Sequence, residues 1–123
     1  MMKLHNYFRS SAAYRVRSAL ALKGLDYEYA AVHIGKGRQF DDAFRSLNLQ
    51  SLVPVLETDG QVLTQSLAII EYLDETHPAP SLLPGSPLER QRVRSLALAI
   101  ACEIHPLNNL RVLHYLTGTL GLG

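Results

Sequence analysis

The sequence holds a single cysteine, Cys102, among its 123 residues. One thiol excludes an internal disulfide and any Cys-x-x-Cys redox or zinc pair. No sign of charge prevails: 12 Lys and Arg stand against 11 Asp and Glu, a formal net charge of +1, so there is no overall basic field to hold nucleic acid or an anionic membrane. Any anion recognition must be local. The longest apolar run, Leu96 to Cys102 between Ser95 and Glu103, falls far short of the roughly 20 residues that span a bilayer. The first residues reach Lys3 and Arg9 with no hydrophobic stretch or small-residue cleavage site, so no secretory signal and a cytoplasmic protein are expected. The five histidines include no pair four residues apart, which disfavours a helical zinc site. No G-x-S-x-G or phosphate-loop pattern occurs.

What is present suits a folded core, since 47% of residues are apolar. Residues 1–76 alternate strand and helix. Lys3 to Phe8 reads as a short strand and Ser11 to Lys23 as a helix, with Val16, Ala19, Leu20 and Lys23 at helical spacing and Gly24 placed to end it. Asp26 to Val32 alternates as a strand. Strand, helix, strand in some thirty residues predicts a βαβ unit with parallel strands. His33 to Gln39 reads as loop and Asp41 to Leu47 as a short helix. Val53 to Thr58 and Gln61 to Leu63 flank Asp59-Gly60, a hairpin pair because both turn positions need positive φ. A helix then opens at Gln65-Ser66, with Ser66 as its cap and Ile69, Ile70 and Leu73 as its buried stripe.

His77-Pro78-Ala79-Pro80 cannot continue that helix and begins a linker reaching Pro87. The expected organisation is a mixed α/β domain over residues 1–80 and the first helix or helices of an incomplete all-helical domain over 87–123. Val93, Leu96, Ile100, Ile104 and Leu107 mark one long amphipathic helix, kinked where Pro106 cannot donate to the carbonyl of Cys102. Cys102 reads as a small buried residue rather than a nucleophile.

Chemistry concentrates in a few places. Ser10 and Ser11 stand where strand passes to helix, and a helix start offers unpaired N–H groups and a positive dipole end to an anion or thiolate. The plainer reading is that one of them caps the helix. Pro54 opens a strand, where a missing donor is tolerated, and its bond to Val53 is open to either isomer, trans being much the commoner for an X-Pro bond. Gln65 and Ser66 join an amide and a hydroxyl at another helix start, again with capping as the plainer reading. His105, Asn108, Asn109 and Arg111 surround the expected kink, as part of a cleft or of an exposed polar face.

Taken together, the stretches Tyr7 to Lys23, Leu47 to Pro54, Gln65 to Glu75 and Ile104 to Tyr115 resemble the zeta-class glutathione transferases, the family that includes maleylacetoacetate isomerase and the bacterial maleylpyruvate isomerases. The resemblance implies a thioredoxin-like N-terminal domain followed by an all-helical one, and glutathione as cofactor. Ser10 matches the first serine of the family's Ser-Ser-Cys-x-x-Arg motif and would donate to the thiolate, with Ser11 beside it. Ala12 replaces the motif cysteine, which weakens a covalent or redox role more than an isomerase one, and Arg15 is retained. Val53 and a cis Pro54 would pair with the cysteinyl part of glutathione, and Gln65 and Ser66 would hold its γ-glutamyl carboxylate. The implied activity is conversion of maleylacetoacetate to fumarylacetoacetate, in the breakdown of aromatic amino acids, by thiolate addition, bond rotation and elimination. Arg9 and Arg111 would bind the two substrate carboxylates, with His105 nearby, and the full-length protein would be a homodimer with no nucleic-acid or membrane partner and no metal. Three readings remain beside this one: maleylpyruvate isomerase, a general glutathione transferase or dehalogenase, and a catalytically silent glutathione-fold fragment.

Overall fold

In the computed structural model, which describes residues 1–123, the chain runs β1 (Met2–Asn6), α1 (Ser11–Leu22), β2 (Tyr27–Ala31), two single turns of 3-10 helix (Ile34–Lys36 and Arg38–Phe40), α2 (Asp42–Leu47), β3 (Val55–Thr58), β4 (Gln61–Thr64) and α3 (Ser66–Thr76). The strands form one sheet in the order β2-β1-β3-β4. β1 and β2 are parallel, as a βαβ crossover requires, while β3 is antiparallel to both β1 and β4. The β3–β4 turn has Asp59 at φ 49° and Gly60 at φ 73°, the positive pair that the Asp-Gly sequence predicts. This is the thioredoxin-like α/β arrangement expected of these residues.

Period-two alternation divides the strands between two cores. Leu4 and Leu56 pack with Val16 and Leu20 of α1 and with Ile69 and Leu73 of α3, all fully buried. Val55 instead joins Val32 and Phe44. Each fully buried Leu or Ile contributes about 1.5–3 kcal/mol relative to exposure, so the first cluster holds α1 and α3 to the sheet.

The apolar stripe of α1 ends on a lysine. Lys23 lies at the helical spacing of Val16, Ala19 and Leu20 and is buried with them. Its Nζ donates to Asp74 Oδ1 at 2.7 Å, to the carbonyl of His77 at 2.6 Å and to that of Pro80 at 2.8 Å. An ammonium has three protons, and all three are used. Asp74 Oδ1 also accepts from the amide of Leu82 at 2.8 Å, so the chain beyond α3 is held to the helices instead of running free.

By internal contacts the chain forms two compact units, Met1–Leu82 and Leu83–Gly123. The second begins with α4 (Pro87–Leu98), whose Ser86 cap and Glu89 form a reciprocal capping box. The Ser86 amide donates to Glu89 Oε2 at 2.7 Å and, with the Ser86 hydroxyl, holds that carboxyl below its ordinary range. A Cβ on Gly85, at φ 97°, would come within 2.6 Å of the same oxygen, so only glycine fits there.

Past Leu98 the structure departs from the single kinked helix. Ala99–Ile104 widens to a π-helical turn, with the His105 amide bonded to the Ile100 carbonyl at 2.8 Å, and residues 105–109 then break the helix. Pro106 lacks the donor that continuation needs, and Asn109 starts α5 (Leu110–His114) by accepting the amides of Arg111 and Val112. Asn109 is therefore a helix cap. Cys102 is exposed, not buried, because no residue of 83–123 reaches full burial. No helix is long and apolar enough to cross a membrane.

Replacing Lys23 by Met keeps the apolar stem but strips Asp74 and two carbonyls of their donor. The Lys23 side chain is 0% and Asp74 17% exposed, so the expected loss is about 3–5 kcal/mol, read from the denaturant midpoint. A loss under about 1 kcal/mol, the range of a surface pair, would show that the ammonium carries no such role.

Candidate active site

Register decides which residues meet. His5 of β1 pairs with Val55 of β3, and Val55 pairs with Thr64 of β4. The exit of β1, the entrance of β3 and the exit of β4 therefore lie at one end of the sheet. Ser10 follows the first, Val53-Pro54 precedes the second, and Gln65-Ser66 follows the third. The structure thus brings together three of the segments singled out from sequence.

Ser10 caps α1: its Oγ accepts from the Ala13 amide at 3.1 Å. A hydroxyl that accepts in this way still has its own proton to donate. Ser11 is the first residue of the helix and is exposed. The Val53-Pro54 bond is cis, and Pro54 is buried. Neither the amide nor the carbonyl of Val53 is bonded within the chain, which leaves a short extended stretch open to a peptide-like ligand pairing along it.

At the third segment the assignment of Ser66 as cap is corrected. Gln65 holds the capping position, at φ 70°, and makes no side-chain cap bond. Ser66 is the first helical residue, buried, with its Oγ accepting from Arg15 Nε at 3.2 Å. The arginine of the serine motif is thereby tied to the Gln-Ser pair across α1 and α3. Gln65 is exposed, and its amide donates to Gln50 Oε1 at 3.2 Å.

Arg9 is exposed on the crossing between β1 and α1, with no carboxylate within salt-bridge distance. His105 and Arg111 belong to the second unit: His105 is half-buried at the end of the π-helical turn, and Arg111 is exposed in the first turn of α5.

Sequence reasoning passed over several residues around this end of the sheet. The rings of Tyr7 and His33 lie 5.0 Å apart and those of Tyr7 and Phe8 4.8 Å apart. His33 Nδ1 and Gln39 Oε1 are buried without a partner, a costly state that a bound polar group would relieve. Asn6 is fully buried and bonded to Arg17 at 2.8 Å. The Tyr7–His33 and Asn6–Arg17 contacts carry no local signal, since each joins residues distant in sequence.

Residues 1–75 match the family described as Glutathione S-transferase, N-terminal domain. The chain belongs to the glutathione S-transferase family. A maleylpyruvate isomerase from Ralstonia sp is 56% identical over 120 residues, covering 98% of this chain and 57% of that protein. Among solved structures, a holo maleylpyruvate isomerase described as a bacterial zeta-class glutathione transferase superposes with a TM-score of 0.94 at 55% identity, over 97% of this chain and 56% of its own. A maleylacetoacetate isomerase from Methylobacterium extorquens AM1, solved with malonate and glutathione bound, gives a TM-score of 0.94 at 46% identity, over 98% of this chain and 57% of that one. The chain therefore spans just over half the length of the relatives it matches.

The positive φ of Gln65 costs a non-glycine residue on the order of 1–3 kcal/mol. Gln65→Gly is expected to raise stability by about 1 kcal/mol in denaturant titration, once the greater chain entropy of glycine is set against that strain. A loss of stability would mean that the bond to Gln50 outweighs the backbone strain.

Proposed function

We propose that this chain forms the glutathione-binding part of a glutathione-dependent cis-trans isomerase acting on maleylacetoacetate, with maleylpyruvate as the alternative substrate. The observation that carries the reading is the meeting of the Ser10 hydroxyl, the unpaired Val53 main chain and the Gln65-Ser66 pair at one end of the sheet. The names of the relatives, and the malonate and glutathione held by one of them, support it.

Glutathione is a tripeptide with two free carboxylates and a thiol, and its cysteinyl unit, its γ-glutamyl carboxylate and its sulfur each have a counterpart here. Val53 offers a main-chain donor and acceptor to the cysteinyl unit beside Pro54. Gln65 and Ser66 offer an amide and a hydroxyl to the γ-glutamyl carboxylate. Ser10 offers its hydroxyl proton to the sulfur, and the start of α1 adds the positive end of a helix dipole; both favour thiolate over thiol. When bound, glutathione would supply a sulfur nucleophile able to add reversibly to a cis double bond conjugated to a carbonyl, which takes up the displaced electron pair, and so to permit rotation about that bond. No net oxidation or reduction occurs. Ser11 lies beside Ser10 as a further hydroxyl at the helix start. Arg9 and Arg111 are assigned to the substrate carboxylates, which a guanidinium can grip with two parallel bonds, and His105 to a nearby polar contact. The same reading carries a homodimer, since α4 and the turn after it expose Leu96, Ile100 and Ile104; light scattering tests it, and a monomer would remove that part.

Ser10→Ala should raise the apparent pKa of bound glutathione and slow turnover by roughly ten- to a hundredfold, the equivalent of one charge-assisted hydrogen bond. Ser11→Ala and Cys102→Ala should do much less. Ultraviolet absorbance of the thiolate against pH measures the first effect, and an unchanged titration would move the donor role elsewhere. Arg9→Lys and Arg111→Lys in the full-length protein should weaken dicarboxylate turnover while leaving glutathione affinity nearly intact, because lysine keeps the charge and loses the planar fork. Equal losses for both ligands in steady-state kinetics, or none, would defeat the assignment.

A further inference from the structure

The crossing from β1 to α1 carries Arg9 and Ser10, yet little of its own structure holds it. Phe8 and Arg9 are exposed, and its one backbone hydrogen bond runs from the Ser10 amide to the Tyr7 carbonyl at 2.9 Å. Arg17 supplies the rest. From two turns further along α1, its Nη1 donates to Asn6 Oδ1 at 2.8 Å and to the Tyr7 carbonyl at 3.2 Å, while Nη2 donates to the Phe8 carbonyl at 3.3 Å. The anchor is firm, because Asn6 is fully buried and its own amide donates to the Leu4 carbonyl at 3.1 Å within β1. The Tyr14 ring flanks the guanidinium at 5.6 Å.

We propose that Arg17 is a positioning residue for Ser10: its guanidinium, seated on Asn6, fixes the Tyr7–Arg9 crossing and so sets where the Ser10 hydroxyl stands. A planar fork with five donors can bridge a strand side chain and two successive carbonyls at once. A lysine ammonium at the same site keeps the charge and cannot span all three. This separates positioning from a second role, in which the cation merely favours a nearby thiolate through space.

The inference rests on the glutathione reading, so the experiment tests the two in order. Thiolate absorbance of bound glutathione is titrated in the wild type, R17K, S10A and the double variant S10A/R17K, and exchange of the Ser10 amide proton is followed in the wild type and R17K. The expected result is a thiol pKa about one unit higher in R17K, a roughly tenfold smaller acid dissociation constant, with faster exchange at Ser10 and no further shift when R17K is added to S10A. An R17K titration like the wild type's, unchanged exchange at Ser10, or shifts that add in full would each overturn the positioning role while leaving the glutathione reading intact. If R17K melts before it can be titrated, Asn6→Ser loosens the same anchor and must move the titration in the same direction, or the role falls. A wild type that leaves the thiol as it is in water would defeat the glutathione reading, and this inference with it.

Discussion

Strands β1, β2 and β4 run one way and β3 runs against them, and this polarity fixes where chemistry can gather. A strand that leaves the sheet delivers the next segment at its far end, and an antiparallel neighbour must enter from that same end. The exit loops of β1 and β4 and the entrance to β3 are therefore neighbours whatever their sequences. The hydrophobic pattern holds the register: a slip of one residue would turn Leu4 or Leu56 out of the main core. It would also displace Pro54 from the exit of β1, so the position of the site depends on the packing of residues that take no part in it.

Within that frame α1 is held by three cations, two turned toward α3 and one toward β1. Arg15 reaches Ser66 at the start of α3, Arg17 reaches Asn6 on β1, and Lys23 reaches Asp74 near the end of α3. These are bonds from charged donors to partly or wholly buried acceptors, worth about 1.5–3 kcal/mol each. The exposed pairs Lys3–Glu28 and Arg38–Asp41 stand in the range of 0–1 kcal/mol. The cations that matter are therefore those that tie α1 down, and two of the three lie within seven residues of Ser10. Stability and site geometry share these contacts.

How much was legible in the sequence follows from how local each signal is. The βαβ unit, the Asp-Gly hairpin and the stripe of α3 depend on short-range periodicity and turn chemistry, and the structure contains all three. The stripe of α1 was legible down to Lys23, although spacing could not show that Asp74, 51 residues away, would make burial of a lysine tolerable. The widening at Ala99–Ile104 and the break beyond it were not legible, because apolar spacings of three and four continue through residues whose hydrogen bonds shift to a five-residue span. Ser66 was misread as a cap for a related reason. A serine before an apolar run looks the same whether its oxygen turns to its own helix or, as here, to Arg15 of another. Arg17 stands two residues past the motif's Arg15 but drew no role, since Asn6 lies eleven residues before it.

The two sequence readings of Ser10, cap or thiolate donor, cease to compete once the geometry is known. An oxygen that accepts from the Ala13 amide at 3.1 Å has its direction fixed relative to the first turn of α1. The hydroxyl proton rotates about the C–O bond, and the lone pair already engaged confines it to directions away from that turn. A bare serine in a loop would sample several rotamers and lose entropy on meeting a sulfur. Here the cap has already met that cost as part of folding the helix. Capping is thus the means by which a weak donor can be held ready, and a side chain that caps without a hydroxyl, such as aspartate, would satisfy α1 and still have no proton to give.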